Sequence, residues 1–355
     1  MNKNSYCVIM AGGFGKRFWP ISTKACPKQF CDILNVGKSF LRQTFERACQ
    51  VFDVDNILVV TNAAYDELTR QQLPELPTEN ILKEPFGKNT APCIAYAAYR
   101  IARENMNANM TVVPSDHFIC NDAVYADNIR EGIRFVEEHG GLLTIGIKPT
   151  RPETGYGYIQ VKQKDSSELI SKVKTFTEKP DKELAQVFLN SGDFLWNAGI
   201  FIWKVEDIIK EMKTHLEDLY LIFEQEYKGA KYPDSVENIT HIYSACPSIS
   251  IDFGIMEKSD RVFVLKGGFG WSDVGTWHSF HEISPKDENA NVINSPQVTL
   301  INTKDCIINV PKGKQVIIDG LSNCIVAENN NILMICQREH EDDIRHYDDI
   351  LRGQN

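Results

Sequence analysis

An apolar run that breaks into glycines and then cations, Val8-Ile9-Met10-Ala11-Gly12-Gly13-Phe14-Gly15-Lys16-Arg17-Phe18-Trp19-Pro20, constrains this chain more than any other stretch. A run of this kind forms a buried strand. The glycines after it let the backbone turn tightly and bring N–H groups close to an anion. The pattern then repeats. Short apolar runs at Tyr6–Met10, Asn56–Val60, Asn80–Leu82, Met110–Val113 and Leu142–Ile147 alternate with amphipathic stretches near Phe40–Val51, Ala64–Leu73, Ala91–Glu104 and Asp122–Glu138. Strand–helix alternation predicts an α/β fold, a Rossmann-like, mostly parallel mixed sheet flanked by helices.

From Gly155 to about Phe280 the alternation loosens. Tyr156–Val161, Ile170–Phe176, Gly199–Trp203 and Arg261–Leu265 read as strands, and Asp181–Asn190 and Val205–Glu226 as helices. No composition break separates this stretch from the first, so residues 1–285 are expected to form one domain. After Pro285 the character changes. Val298–Ile301, Cys306–Val310, Gln315–Ile318, Cys324–Ala327 and Ile332–Ile335 are short β runs spaced by Asn, Asp, Gly and Lys. A run every eight to ten residues or so suggests stacked β coils of a β-helix-like kind, or a small sandwich, over 286–355. A charged helix-like stretch, Glu339–Leu351, closes the chain.

A net charge of −10 argues against a nucleic-acid surface, which selects a basic face. No apolar run approaches the ~20 residues of a membrane span, and the start is too short for a signal-peptide core. A cytoplasmic protein is expected, with no membrane partner. The ten cysteines include no Cys-x-x-Cys and read as reduced thiols, most of them buried. Cys26 and Cys31 lie near the glycine loop, where a thiol could be reactive, though no catalytic role is expected of them.

The loop fits neither familiar phosphate motif. A dinucleotide fingerprint opens an uninterrupted helix, whereas Pro20 follows here. A P-loop ends in Gly-Lys-Ser/Thr. Gly37-Lys38-Ser39 supplies that ending, but Asp32 stands where its first glycine belongs. Ser39 reads instead as a helix N-cap. Arg17 and Lys28 are close enough in sequence to converge on one phosphate chain, a planar fork beside a point charge.

The glycine loop together with Pro27-Lys28-Gln29-Phe30 resembles the signature of mannose-1-phosphate guanylyltransferases, within the sugar nucleotidyltransferase superfamily. The resemblance continues in order through Glu84-Pro85-Phe86-Gly87-Lys88-Asn89-Thr90-Ala91-Pro92, Val113-Pro114-Ser115-Asp116-His117 and Gly155-Tyr156-Gly157-Tyr158-Ile159. Phe176-Thr177-Glu178-Lys179-Pro180, Trp196-Asn197-Ala198-Gly199-Ile200-Phe201, Ser250–Glu257 and Gly270–Trp277 complete it. Eight ordered motifs between residues 8 and 277 do not arise by chance. Some members carry a further isomerase domain of the cupin type, and only the transferase half is expected here.

The resemblance implies GTP and α-D-mannose 1-phosphate as substrates and GDP-mannose and pyrophosphate as products. The sugar phosphate attacks the α-phosphorus in line, so the protein's task is positioning and charge neutralisation. Arg17, Lys28, Asp116 and Asp273 are the implied catalytic set, with Asp116 and Asp273 as Mg²⁺ ligands. His117 reads as structural. The implied nucleotide-binding residues are Ala11, Gly12, Gly13, Gly15, Lys16, Arg17, Lys28, Glu84, Asn89 and Thr90. Gly157, Glu178, Lys179 and Asn197 are implied on the sugar-phosphate side. Guanine's N1–H and N2–H donors call for an acceptor, for which Glu84 is a candidate. Three readings stay open: the guanylyltransferase itself, a relative using another sugar or triphosphate, and a non-catalytic nucleotide-sugar sensor. The edges of the β coils would allow a homodimer.

Overall fold

The Val- and Ile-rich runs are buried on both faces, as strands covered by helices on either side must be. Val8, Ile9, Val59 and Val60 are fully buried. The computed structural model describes residues 4–13, 15–161 and 169–353. Packing divides the chain into two units.

The first unit comprises residues up to Gly12, Thr44–Ser115 and Ile119–Trp271. Its strands are β1 (Ser5–Ala11), β2 (Ile57–Asn62), β3 (Ile81–Glu84) and β4 (Asn109–Pro114). After the two-residue β5 (Phe118–Ile119) come β6 (Leu142–Ile147), β7 (Tyr158–Val161), β8 (Ile170–Thr177), β9 (Phe194–Lys204) and β10 (Val262–Gly267). Nine of them form one sheet in the order β3-β2-β1-β4-β9-β6-β10-β8-β7.

The sheet is mixed, and less parallel than the alternation suggests. β1 runs parallel to β2 and β4, β2 to β3, and β6 to β10. The long β9 lies antiparallel between β4 and β6, and β8 runs antiparallel to both β10 and β7. Strand direction depends on how connections cross the sheet, which local periodicity does not encode. The parallel half places the carboxyl ends of β1, β2, β3 and β4 side by side, with Met10 beside Pro114 and Asn62 beside Glu84.

The expected helix over Val205–Glu226 breaks. Leu216 leaves helical geometry (φ −135°, ψ 55°), ending one helix at His215 and starting another at Glu217. Helices at Val236–Ala245 and Trp277–Ile283 lie outside the sequence expectation; the second is fixed by reciprocal Thr276 and Ser279 caps.

The second unit comprises Gly13–Gln43, Asp116–Phe118 and the chain from Ser272 onward. Beyond β11 (Trp271–Ser272) lie β12 (Val292–Ile293), β13 (Val298–Ile301), β14 (Ile307–Asn309), β15 (Val316–Asp319), β16 (Cys324–Asn329) and β17 (Ile332–Gln337). One sheet runs β12-β14-β16-β17 and a second pairs β13 with β15. Ile307 pairs in parallel with Ile325, Val298 with Val316 and Lys304 with Ser322, each 18 positions on (325 − 307, for example). Runs spaced by about nine residues therefore stack with every second run.

Residues 13–43 and 272–285, which the sequence groups with the N-terminal sheet, pack with these strands. Phe18, Trp19, Phe40, Val274, Trp277 and Phe280 share one core with Val292, Ile307 and Ile325. Asn329 Nδ2 donates to the carbonyls of Pro20 (3.1 Å) and Ile21 (3.3 Å), and Asn294 Nδ2 to that of Ile33 (2.8 Å). The small β structure thus holds the segment that follows the glycines.

Candidate functional site

In the second unit, Gly15, Arg17, Lys28, Asp116 and Asp273 line one cavity of about 450 Å³. Lys28 organises it. Its side chain is 6% exposed, and its ammonium donates to Asp116 Oδ2 (2.9 Å) and to the carbonyl of Asp273 (2.6 Å). Gly15 sits at φ +39°, and a Cβ there would lie 2.6 Å from Lys28 Cβ, so only glycine lets the loop close on the lysine. Gln29 fastens the same loop by donating from Nε2 to the Gly13 carbonyl (2.8 Å). Burial would raise the Asp116 carboxyl, but the Lys28 ammonium and His117 outweigh it and hold the group below its ordinary value.

Asp273 is set by its neighbours. Gly275 N–H donates to Asp273 Oδ1 (2.9 Å), and a Cβ on Gly275 would lie 2.5 Å from Oδ2. Between them Val274, fully buried, takes φ +45°, a conformation that strains a β-branched residue. Strain of this kind persists only where the surroundings over-determine it, here directly after the Asp273 carboxylate. Two carboxylates, in a cavity with room for phosphate oxygens, suit Mg²⁺, which takes one or two carboxylates plus substrate oxygens. Among the described residues, no group of three or more His, Cys, Asp or Glu could make a metal site from protein alone.

In the first unit, Gly12 follows β1 and Glu84 ends β3. A Cβ on Gly12 would lie 2.8 Å from Glu84 Oε2, so a side chain there would press on that buried carboxylate. Tyr243 OH donates to Glu84 Oε1 (3.0 Å). Burial nevertheless pushes the Glu84 carboxyl up to about 7. Ala11 closes β1, its carbonyl accepting from Thr61 Oγ1 (3.0 Å). Asn89 caps helix Thr90–Ala102 at φ +69°, its side chain accepting from Thr90 N–H (2.8 Å). Thr90 Oγ1 accepts from Ile251 N–H (2.8 Å), tying the cap to the Ser250–Glu257 segment.

A second cluster of this unit gathers Gly157, Glu178 and Asn197. A Cβ on Gly157 would stand 3.4 Å from Glu178 Oε2 and 3.5 Å from Asn197 Cβ. Asn197 is held on both amide atoms: Nδ2 donates to Asp252 Oδ1 (2.8 Å), while Oδ1 accepts from Thr144 Oγ1 and Gly199 N–H (both 3.1 Å). Glu178 N–H donates to Glu257 Oε1 (2.9 Å), and Lys179, largely exposed, pairs with Glu178 Oε1 (3.2 Å). Burial, reinforced by Glu178, pushes the Asp252 carboxyl up to about 7.

Most of the expected residues therefore gather into three groups: Gly15, Arg17, Lys28, Asp116 and Asp273; Gly12 with Glu84; Gly157, Glu178, Lys179 and Asn197. Phe14 and the side chain of Lys16 lie outside the described residues. Sequence reasoning missed Asp252 and Glu257, although the Ser250–Glu257 motif contained both. It also missed Tyr243 and Arg345, which no motif marks; Arg345 lines the cavity around Lys28. Cys26 and Cys31 lie with their sulfurs 3.5 Å apart on either side of Lys28 in the chain. Six of the ten thiols are buried, whereas Cys120 is exposed.

A family model described as nucleotidyl transferase matches residues 6–290. A mannose-1-phosphate guanylyltransferase of Klebsiella pneumoniae is 36% identical over 343 residues, spanning 95% of this chain and 72% of that protein. The alginate biosynthesis protein AlgA of Pseudomonas putida is 36% identical over 340 residues, 94% of this chain and 68% of its own length. Among solved structures, one described as a mannose-1-phosphate geranyltransferase from Thermus thermophilus aligns with a TM-score of 0.89 at 28% identity, covering 98% of this chain and 99% of that one.

Proposed function

Since the chain belongs to the nucleotidyl transferase family, we propose that it transfers GMP from GTP to α-D-mannose 1-phosphate, yielding GDP-mannose and pyrophosphate. The observation that carries this reading is the cavity in which Arg17 and Lys28 face Asp116 and Asp273. Two anions must meet there, and the cavity offers cations for phosphate oxygens beside carboxylates for a divalent cation. The choice of mannose and guanine rests on the Klebsiella relative, whose identity extends over nearly the whole chain.

Asp116 and Asp273 would hold Mg²⁺, which would supply charge neutralisation at the phosphates when bound. Arg17 and Lys28 bind phosphate oxygens, and the backbone N–H groups of Ala11, Gly12, Gly13, Gly15 and Lys16 are assigned to the same triphosphate because glycine-rich backbone suits anions. Glu84, Asn89 and Thr90 take the base, Glu84 as acceptor for guanine's two donors. Gly157 and Asn197 shape the sugar's place, Glu178 accepts from its hydroxyls and Lys179 meets its phosphate. The sugar phosphate is already an oxyanion near neutral pH, so no general base is required. Residues 1–285 carry the chemistry, and 286–355, read as a β-helix-like coil from its 18-residue pairing, support the glycine segment. Exposed Ile317, Leu333 and Ile335 support a homodimer through that coil. Ten free thiols support a cytoplasmic location, and no helix among the described residues is long and apolar enough to cross a membrane.

The test is pyrophosphate release from each common triphosphate with Mg²⁺ and mannose 1-phosphate. Release with GTP is expected. Release only with another triphosphate overturns the base assignment, and silence with every triphosphate and sugar phosphate overturns the transferase reading.

A further inference from the structure

The charged tail that closes the chain reaches the phosphate cavity. Arg345 lines that cavity together with Arg17, Lys28, Asp116 and Asp273. It is the second residue of helix Ile344–Leu351, and its neighbours on that helix fix where it stands. Ile344 is fully buried in the core that also holds Phe18, Val274 and Trp277. Tyr347 packs edge-on against Trp19 with ring centroids 6.4 Å apart. Upstream, His278 N–H donates to Glu341 Oε2 (2.9 Å), which ties the turn before the helix to helix Trp277–Ile283. Residues on both sides of Arg345 are thus anchored to the loop of Arg17 and to the segment after Asp273.

Its charge is uncommitted in a way that its neighbours' charges are not. Arg338 pairs with Asp305 (2.5 Å) and Arg352 with Asp348 (2.8 Å). Among the described residues no carboxylate pairs with Arg345, whose Nε donates to His346 Nε2 (3.1 Å). An exposed guanidinium at the mouth of a cavity lined by a buried lysine and a second arginine matches a polyanion. Within the reaction, the group carrying most charge is the pyrophosphate that leaves. A guanidinium fork grips two of its oxygens at once, which Lys28, a point charge held between Asp116 and Asp273, does not.

We propose that Arg345 binds the β- and γ-phosphates of the triphosphate, so that the C-terminal helix supplies part of the phosphate site. The inference rests on the nucleotidyl-transfer reading, and its test separates the two. Calorimetry measures the binding of pyrophosphate, with Mg²⁺ present, to the full chain, to Arg345→Ala, to Arg345→Lys and to Arg352→Ala. Forward and reverse turnover are measured on the same four proteins. Arg345→Ala is expected to weaken pyrophosphate binding roughly ten- to a hundredfold and to raise KM for GTP and for pyrophosphate. KM for mannose 1-phosphate should stay within about twofold. Arg345→Lys should recover part of the loss because the charge is kept without the fork. Arg352→Ala, on the same helix, should match the unmodified chain. Equal pyrophosphate affinity in Arg345→Ala and the unmodified chain overturns the inference while turnover preserves the transferase reading. Arg345-dependent binding with no turnover does the reverse, and no pyrophosphate binding by the unmodified chain sinks both.

Discussion

Replacing Lys28 with methionine should separate stability from activity. The lysine side chain is 6% exposed, whereas Asp116 keeps 35% of its own exposed. At 2.9 Å and an effective dielectric near 20, their attraction is about 6 kcal/mol before desolvation. Burying the ammonium costs several kcal/mol in return, so the pair is nearly neutral in the balance. Methionine fills the same channel over the Phe40 ring, which the ammonium now faces at 5.2 Å, and carries no desolvation cost. Water can reach the Asp116 carboxylate once the lysine is gone. The Asp273 carbonyl loses a donor, worth about 1 kcal/mol. The net change in unfolding free energy from chemical denaturation at pH 7 should therefore fall within about 1.5 kcal/mol of zero. Turnover measured by pyrophosphate release should drop at least a hundredfold or so, the usual consequence of removing a charge that stabilises the transition state. A stability loss above about 3 kcal/mol would show that Asp116 is effectively buried and needs its partner. Turnover within about threefold of the unmodified chain would refute the phosphate role of Lys28.

Three further outcomes follow from the perturbed groups. Glu84, with its carboxyl pushed to about 7, must be ionised to accept from guanine, so roughly one tenth of it is competent at pH 6. KM for GTP should rise roughly tenfold between pH 8 and pH 6, and that dependence should vanish in Glu84→Gln; a dependence that persists in the variant removes Glu84 from the base site. Asp252, raised from 3.8 to about 7, keeps its proton in the folded state where the unfolded chain has lost it. Its contribution is therefore present at pH 4 and declines as pH rises toward and through 7. Asp252→Asn can still accept from Asn197 Nδ2 and should flatten the fall in denaturation midpoint between pH 5 and 8; an unchanged slope would show that the proton is held elsewhere. The hydrogen bond from Cys31 pulls the Cys26 thiol below its ordinary range, against the opposing effect of burial. At pH 7 Cys26 should be alkylated by iodoacetamide faster than Cys49 or Cys336, and peptide mass mapping would expose a different order.

How much of this could be read from the residues depends on what each signal encodes. β6 at Leu142–Ile147 falls where its apolar run places it, because a buried strand must be apolar along its length. The direction of β9 could not be read that way. An eleven-residue strand has the same periodicity whichever way it runs, and its antiparallel seat between β4 and β6 is decided by connections elsewhere. The break at Leu216 is hidden for a related reason. Apolar residues recur at helical spacing through Val205–Glu226, and a single kink leaves that spacing nearly intact.

The site divides along the same line. Gly15, Lys28 and Asp273 were legible because each is a residue type that the local backbone or the chemistry demands: a positive φ, a charge for phosphate, a strand-end carboxylate. Glu84's partner Tyr243 and the cavity's Arg345 were not. A tyrosine within helix Val236–Ala245 and an arginine in a charged tail have ordinary alternatives as a core residue and a solvated side chain. What distinguishes them is a relation across the fold: 159 positions separate Tyr243 from the carboxylate it donates to (243 − 84), and Arg345 stands 317 positions beyond Lys28 (345 − 28). Such relations appear only when the sheets and cores bring distant segments together. The motif residues thus announce the reaction class, while Tyr243 beside Glu84 and Arg345 in the cavity of Lys28 are brought there by packing.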